Sequence, residues 1–316
     1  MLLPILPRVD GRQALAERLG APFELLLAGL AFDPLADDVI LSGSLVEGLG
    51  NVDSDIDVFV VGDQVRHRRG GLWFWHDARR WVDVTYCEAA AIDQLAARIR
   101  GSFVEITDWS AHPCAAFGDV DLYHRLCIGV ATTDPVRPAF QREQFDVRKL
   151  GREIAYQNIV VARARWLDAV GAFRDGQHLQ AAYVARICFD FAVDAYSALL
   201  GETNPNPKWR WARIARLEAA GREPLQLMRS MFPVRMETDR ETAEHALGDA
   251  AGLLFNVQHL FLRGTLVEPA RPPLPGERFE VTSKAVLRVT IDGTAHAASA
   301  SFAPSGRLLE SEPACV

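Results

Sequence analysis

Two aspartates one residue apart, Asp55 and Asp57, stand at the start of the apolar run IDVFVV, residues 56–61. Side chains at positions i and i+2 of a strand point to the same face. Two carboxylates held side by side repel each other, and burial raises the cost sharply. A divalent cation between them removes that cost, and Mg²⁺ prefers one or two carboxylates together with substrate phosphates and water. The pair therefore predicts a magnesium site.

Gly43 and Ser44 lie upstream of the aspartates, after an apolar run at residues 38–42 and before a predicted helix start. Exposed backbone N–H groups at such a bend, with the serine hydroxyl, form a site suited to phosphate. The competing interpretation is a plain strand-to-helix turn with a serine N-cap. Because the aspartates are so close, we favour phosphate binding and expect a nucleoside triphosphate with its metal.

A third carboxylate is expected on a neighbouring strand, and Asp83 in the run RWVDVTY is the best candidate. Alternation along that strand would turn Val82 and Val84 to the opposite face. The competing interpretation is a surface aspartate on a hairpin. Three carboxylates can hold two metal ions, one activating an attacking hydroxyl and the other supporting the leaving pyrophosphate.

The arrangement Gly43-Ser44, ten residues, then Asp55-x-Asp57 resembles the signature of the DNA polymerase β-type nucleotidyltransferase superfamily. Ser54 fits the S-D-x-D form of that signature, and the resemblance covers residues 36–90. The region that follows is similar in general plan to the helical domains of antibiotic nucleotidyltransferases. The resemblance implies transfer of a nucleoside monophosphate from an NTP, with two Mg²⁺ ions, or Mn²⁺ in their place.

The same resemblance assigns roles to particular residues of this chain. The third acidic position of the family falls on Asp83, and Gly48 occupies the place of a second glycine. The residues expected to be catalytic and to bind metal are Asp55, Asp57 and Asp83. Those expected to bind nucleotide are Gly43, Ser44, Ser54 and Lys208. Lys208 is the least specific of these, because an exposed lysine at the start of a basic helix explains it equally well.

One position departs from the family pattern. Small members often carry arginine shortly after the Gly-Ser pair, whereas this chain has Glu47. An acidic side chain near phosphates makes sense if it points away, binds metal through water, or contacts the acceptor. A base for the acceptor hydroxyl is also needed, and the candidates are Glu47, Asp190, Asp194 and Glu202. Asp190 and Asp194 share a helical face, where they either bind a cationic acceptor or pair with arginines such as Arg186.

Hydrophobic periodicity predicts an α+β fold in three parts. Residues 1–138 form a catalytic domain with a small mixed sheet and flanking helices, residues 139–264 an all-helical domain, and residues 265–316 a proline-rich linker with a hairpin-like, partly disordered tail. In the first part we expect a helix over 11–30 broken at 20–22, strands at 38–42 and 56–61, two strands joined by a turn at 76–79, and a helix over 90–100. In the second we expect helices over 141–171, 177–200, 208–220 and 240–263.

The composition of the chain argues against some classes of binding partner and location. A net charge of −7 disfavours a long nucleic acid, whose binding proteins carry a basic footprint. The five cysteines are scattered and form no C-x-x-C pair, which favours free thiols in a reducing cytoplasm. No apolar run approaches the ~18 residues of a membrane span, and the start of the chain lacks the features of a secretory signal.

The sequence therefore predicts a cytoplasmic enzyme that transfers NMP, with AMP favoured, to a hydroxyl of a small molecule and releases pyrophosphate. Four alternatives stay open: nucleotidylation of a peptide, nucleotidylation of a protein, synthesis of a cyclic or oligomeric nucleotide signal, and a non-catalytic antitoxin-like module. The sequence predicts no oligomeric state.

Overall fold

The computed structural model describes residues 12–20, 22–65, 70–75, 79–101, 115–132, 145–220, 240–263, 278–281, 287–291 and 294–298. The chain forms two compact units. The first contains the described residues within Met1–Phe103, Ala115–Gly151 and Gly201–Ala212. The second contains those within Arg152–Leu200 and Arg213–Val316.

The first unit is a five-stranded mixed sheet with flanking helices. Its elements are α1 (Arg12–Leu19), α2 (Phe23–Ala28), β1 (Asp38–Ser42), α3 (Gly43–Glu47), β2 (Ile56–Gly62), β3 (Gly71–Trp75), β4 (Arg80–Glu88), α4 (Ala89–Gly101), α5 (Phe117–Ile128) and β5 (Val130–Ala131). The strand order is β3-β4-β2-β1-β5. β2 and β4 run parallel, and the other neighbouring strands run antiparallel. This confirms the predicted α+β class.

Strand β2 lies at the centre of the sheet and is buried along its whole length. Its side chains alternate between two cores. Val58 and Val60 pack in the core that includes α1 and α2, whereas Phe59 and Val61 pack with residues of α4 and α5. Full burial of one such side chain contributes about 1.5–3 kcal/mol. By the same alternation, Asp57 belongs to the face that carries α5.

The elements of the first unit agree closely with the sequence prediction, including the helix break near residue 20 and the strands at 38–42 and 56–61. Most of the turn predicted at 76–79 lies outside the described residues. Two elements were not predicted, namely α5 and the short β5 that follows it. Helix α5 becomes important at the site described below.

The main part of the second unit is a helical region, as predicted. It is built from α6 (Val147–Arg174), α7 (His178–Leu199), α8 (Arg210–Ala219) and α9 (Arg240–Arg263), of which α6 and α8 begin in the first unit. Small side chains at Ala181, Ala182 and Ala243 lie in the contact between α7 and α9. Within the described part of the chain, no helix has the length and apolar character needed to cross a bilayer.

A separate three-stranded antiparallel sheet lies near the end of the chain. It consists of β6 (Arg278–Val281), β7 (Leu287–Ile291) and β8 (Thr294–Ala298), in that order. The first two strands correspond to the predicted hairpin, and the third extends it. The rest of the tail that we expect to be partly disordered, from residue 299 onward, lies outside the described residues.

The described cysteines are free thiols, as the sequence predicted. Cys87, Cys127 and Cys188 are all buried. Burial raises the pKa of the Cys87 thiol in the first unit to about 11. It raises the pKa of Cys188 in the second unit to about 12. Cys114 and Cys315 lie outside the described residues.

Asp249 on α9 provides a pH-dependent prediction for the second unit. Burial raises its pKa to about 6, against an opposing effect of His245. Because the folded pKa exceeds the usual value of 3.8, its stabilising contribution is fully present below about pH 4 and is lost as the pH rises through about 6. We expect Asp249→Asn to raise the free energy of unfolding at pH 7 by up to about 3 kcal/mol and to leave it unchanged near pH 4, as measured by urea unfolding at both pH values.

The exposed Asp175, which follows α6, is a matched control. Asp175→Asn should change stability by less than about 0.5 kcal/mol at either pH. An Asp249→Asn protein whose stability follows the same pH curve as the wild type would contradict the prediction.

Candidate active site

The predicted acidic residues meet at one edge of the central sheet. Asp57 in β2 pairs in register with Asp83 in the parallel strand β4, and residues paired in this way point to the same face. Val82 and Val84 are buried in the core on the opposite face, as the alternation predicted. Asp55 stands immediately before β2. The structure therefore brings the three carboxylates to one side of the sheet, and their role as metal ligands stays a prediction.

Asp57 is the buried member of this group, with 9% of its surface exposed. Burial raises its pKa, the nearby Arg125 lowers it, and the charges of Asp55 and Asp83 raise it again, so that the net change is upward. The ionised carboxylate is therefore at a disadvantage in the metal-free protein. Additional positive charge beside Asp57 would relieve it.

The backbone at Gly43 has a left-handed conformation and lies very close to the Asp57 side chain. Its φ angle is +77°, a value that favours glycine. A Cβ atom at this position would overlap the Asp57 Oδ2 atom and lie 2.6 Å from Asp57 Cγ. Gly43 thus has two independent reasons to be glycine, and the second shows that the Asp57 carboxylate lies directly against the Gly43-Ser44 bend.

The bend continues into the single-turn helix α3. The helix ends at Gly48, whose φ angle is +83°. The Ser44 carbonyl then accepts hydrogen bonds from the N–H groups of Leu49 and Gly50 at 2.9 and 2.7 Å. These bonds fix the backbone at Ser44, the predicted phosphate-binding position, relative to the loop that leads to the aspartates.

The turn that delivers Asp55 is held by Arg80. The Arg80 Nη1 atom donates to the carbonyl oxygens of Asn51, Val52 and Ser54 at 3.2, 2.8 and 2.9 Å. The Ser54 hydroxyl accepts from the Asn51 N–H at 2.9 Å. Ser54 therefore supports the turn, and its predicted contact with nucleotide stays untested.

An open cleft of about 440 Å³ lies beside these residues. All of its lining residues belong to the first unit. The predicted residues among them are Gly43, Ser44, Asp55, Asp57 and Lys208. Asp83 and Ser54 do not line it. Glu47, one of the candidate bases, also lines it. The lining residues that the sequence did not indicate are Asp121, His124, Arg125, Asn204, Asn206 and Trp209.

Glu47 belongs to a buried polar network on the wall of this cleft. Its Oε2 atom accepts a hydrogen bond from Asn204 Nδ2 at 2.5 Å and lies 3.4 Å from His124 Nε2. The other ring nitrogen of His124 lies 3.0 Å from the Thr203 hydroxyl. Glu47 and His124 are 2% and 1% exposed. The acidic residue that departs from the family pattern is therefore held in place by polar partners.

Arg125 on α5 faces the predicted metal ligands. Its Nη1 atom donates to Asp57 Oδ1, and its Nε atom donates to Asp121 Oδ2 at 2.7 Å. The Ser42 hydroxyl at the end of β1 donates to the Arg125 carbonyl at 2.5 Å. Burial by itself would lower the pKa of Arg125, but Asp57 and Asp121 raise it by more, so the guanidinium is charged at any working pH.

A pattern in the sequence could have indicated two of these additional residues, His124 and Arg125. Helix α5 has apolar residues at helical spacing, Val120, Tyr123 and Cys127, all buried. That spacing would place His124 and Arg125 on a helix beside the sheet. Asn204 lies in a segment whose prolines indicate a break between helices, and no local pattern shows that such a residue becomes buried.

Three of the four candidate bases are not among the residues that line the cleft. Asp190 pairs with Arg186 at 3.0 Å, the alternative that the sequence left open, and Asp194 pairs with Arg213 at 2.7 Å. Glu202 is fully buried and does not line the cleft. Glu47 is the remaining candidate among the four.

The donor chemistry of the cleft suits a hard divalent cation. Carboxylate oxygens of Asp55 and Asp57 line it, and Mg²⁺ needs only one or two carboxylates when phosphates and water complete its shell. Among the described residues, no group of three or more His, Cys, Asp or Glu side chains is close enough to hold a metal by itself. The residues therefore fit an ion that shares its ligands with a substrate.

Comparison with known proteins gives the class of this fold and site. The family model for the nucleotidyltransferase domain matches residues 26–109, a range that includes β1 to β4 and all three aspartates. No curated protein matches the sequence. A nucleotidyltransferase-like protein from Exiguobacterium sibiricum is similar in structure, with 12% identity and a TM-score of 0.41 over 72% of this chain and 70% of that chain.

The match to the nucleotidyltransferase family model indicates an enzyme of the transferase class. More particularly, residues 26–109 form a nucleotidyltransferase domain of the DNA polymerase β-type superfamily. The family predicted from the Gly-Ser and Asp-x-Asp motifs is thereby confirmed.

Proposed function

We propose that this protein is a Mg²⁺-dependent nucleotidyltransferase that moves NMP, with AMP favoured, from an NTP to a hydroxyl of a small molecule. The observation that carries the proposal is the pairing of Asp57 with Asp83 on parallel strands, with Asp55 beside them. Asp55 and Asp57 line a cleft that is also lined by Ser44 and Lys208.

The reaction forms one bond and breaks another. The acceptor oxygen bonds to the α-phosphorus of the NTP, the bond from that phosphorus to the bridging oxygen breaks, and pyrophosphate leaves. Asp55, Asp57 and Asp83 would hold the divalent ions, which supply charge stabilisation to the phosphates and to the attacking oxygen. In this scheme Gly43, Ser44 and Lys208 bind and orient the triphosphate.

The proton of the acceptor hydroxyl goes to Glu47 in this proposal. Glu47 lines the cleft, and its carboxylate is oriented by Asn204 and His124. A base fixed by neighbours that are themselves oriented is a common catalytic arrangement. Such a role also accounts for an acidic residue at this position of the family motif.

Glu47→Gln tests this role. Glutamine keeps the size of the side chain and an oxygen that accepts from Asn204, but it is not a base. We expect the Kd for NTP to be unchanged and kcat to fall about 10²-fold or more, as measured by steady-state pyrophosphate release and equilibrium nucleotide binding.

Glu24→Gln, at an exposed position of α2, is the matched control and should change neither quantity. An unchanged kcat in Glu47→Gln would exclude Glu47 as the base.

The function itself is tested by incubating the protein with Mg²⁺ and each labelled NTP, alone and with candidate acceptors, and measuring pyrophosphate. Release that requires an added alcohol, and that EDTA abolishes, is the expected result. Release with NTP alone would instead indicate a nucleotide-signal synthase, and release with an added peptide or protein would indicate macromolecular modification. Absence of both turnover and metal-dependent NTP binding would contradict the proposal and favour an antitoxin-like module.

The acidic balance of the chain supports a small-molecule acceptor over a long nucleic acid. Acidic residues in the cleft, such as Asp121, are also suited to an acceptor that carries amines.

A further inference from the structure

Arg125 contacts the same aspartate that the proposed function assigns to metal binding. Its Nη1 atom donates to Asp57 Oδ1, while its Nε atom is held by Asp121 Oδ2 at 2.7 Å. The Arg125 side chain is 29% exposed and lines the cleft. A charged group that reaches both a buried carboxylate and the open cleft has two possible partners.

The free protein needs a cation at this point. Asp57 is buried, and a second carboxylate, Asp83, lies beside it on the neighbouring strand. A buried carboxylate without a counter-charge is strongly destabilising. Arg125 supplies that counter-charge when no metal is bound.

Arg125 and a metal ion would compete for one oxygen atom. The Asp57 Oδ2 atom is packed so tightly against Gly43 that even a methyl group would not fit between them. Arg125 occupies the other oxygen, Oδ1. A metal that binds Asp57 through Oδ1 therefore displaces the Arg125 Nη1 atom.

The displaced guanidinium would remain in the cleft. The bond from Nε to Asp121 does not involve Asp57 and anchors the side chain. Among the described residues that line the cleft, the side chains with fixed positive charge are Arg125 and Lys208. A planar guanidinium is well suited to paired phosphate oxygens.

We propose that Arg125 alternates between two partners, Asp57 in the free protein and the phosphate oxygens of the NTP when metal occupies Asp57. The inference rests on the proposed function, because it requires that metal and NTP bind this cleft. In this proposal Arg125 neutralises Asp57 before metal binds and contacts the phosphates afterwards.

The test is Arg125→Met, with Mn²⁺ alone as the metal probe and a non-hydrolysable ATP analogue with Mg²⁺ as the nucleotide probe, both followed by calorimetry. Removal of the competing cation should tighten Mn²⁺ binding about 10-fold, and loss of the phosphate contact should weaken nucleotide binding about 10-fold or more. A residue that only maintains the structure would weaken both.

The matched control is Arg98→Met, because Arg98 pairs with Asp119 at an exposed site at 2.7 Å. It should change neither affinity. If Arg125→Met changed the affinities for Mn²⁺ and for nucleotide in the same direction, this inference would be overturned, while the proposed function would remain standing. A wild-type protein that binds neither probe would overturn both.

A second variant serves if Arg125→Met does not fold. Asp57→Asn removes the charge that holds Arg125, so the guanidinium becomes available without metal. Binding of the ATP analogue in EDTA should then be about 10-fold tighter than in the wild type. Equal or weaker binding in EDTA would contradict the exchange.

Discussion

Gly43→Ala should abolish nucleotidyl transfer and lower the free energy of unfolding by about 2–5 kcal/mol. Two separate costs contribute. An alanine at a φ angle of +77° costs about 1–2 kcal/mol. Its methyl group would also overlap the Asp57 carboxylate, and overpacking of this kind costs about 1–3 kcal/mol. Urea unfolding measures the stability, and pyrophosphate release measures the activity.

Gly20 separates the two costs. Its φ angle is +76°, but no atom would lie within 4 Å of an added Cβ. Gly20→Ala should therefore cost only the backbone part, about 1–2 kcal/mol, and should keep the activity. In an Asp57→Ala background the overlapping carboxylate atoms are gone, so Gly43→Ala should become less destabilising there. If Gly20→Ala and Gly43→Ala were equally destabilising, the overlap with Asp57 would be excluded as a cause.

Asp57→Asn is expected to reduce turnover about 10³-fold, since several kcal/mol of charge stabilisation depend on the metal ligand. We expect no loss of stability at pH 7. The pKa of Asp57 is raised in the folded protein, so its favourable contribution is present at acid pH and is lost as the pH rises through the raised pKa. The asparagine protein avoids this loss and should be at least as stable as the wild type at pH 7.

Asp53→Asn is the matched control, because Asp53 is exposed and lies two residues before Asp55. It should leave turnover and stability close to those of the wild type. Turnover retained by Asp57→Asn would contradict the assignment of Asp57, whatever the stability result.

The sequence predicted the parts of the site that depend on local patterns. The alternation of apolar residues in β2 and β4 was sufficient to place Asp57 and Asp83 on one face with Val82 and Val84 on the other. The bend at Gly43 followed from a strand that ends directly before a glycine. These features depend on strand periodicity and turn chemistry, which few neighbouring residues determine.

The rest of the site depends on contacts between distant parts of the chain. Arg125 is 68 residues from Asp57, and Asn204 is 157 residues from Glu47. No periodicity relates such positions, because the packing of α5 and of residues 201–212 within the first unit decides them. The structure also gives a second reason for glycine at position 43. The Asp57 carboxylate lies so close that a side chain would not fit, and the sequence alone does not show this proximity.

The buried thiols make local opening of each unit observable. A thiolate is the form that reacts with alkylating reagents, and the pKa values of about 11 for Cys87 and about 12 for Cys188 leave almost none of it at neutral pH. Each cysteine becomes reactive only when its surroundings open to water. Mass spectrometry after a short pulse of reagent would therefore read the opening of the catalytic sheet at Cys87 and of the helical unit at Cys188 independently, without any introduced label.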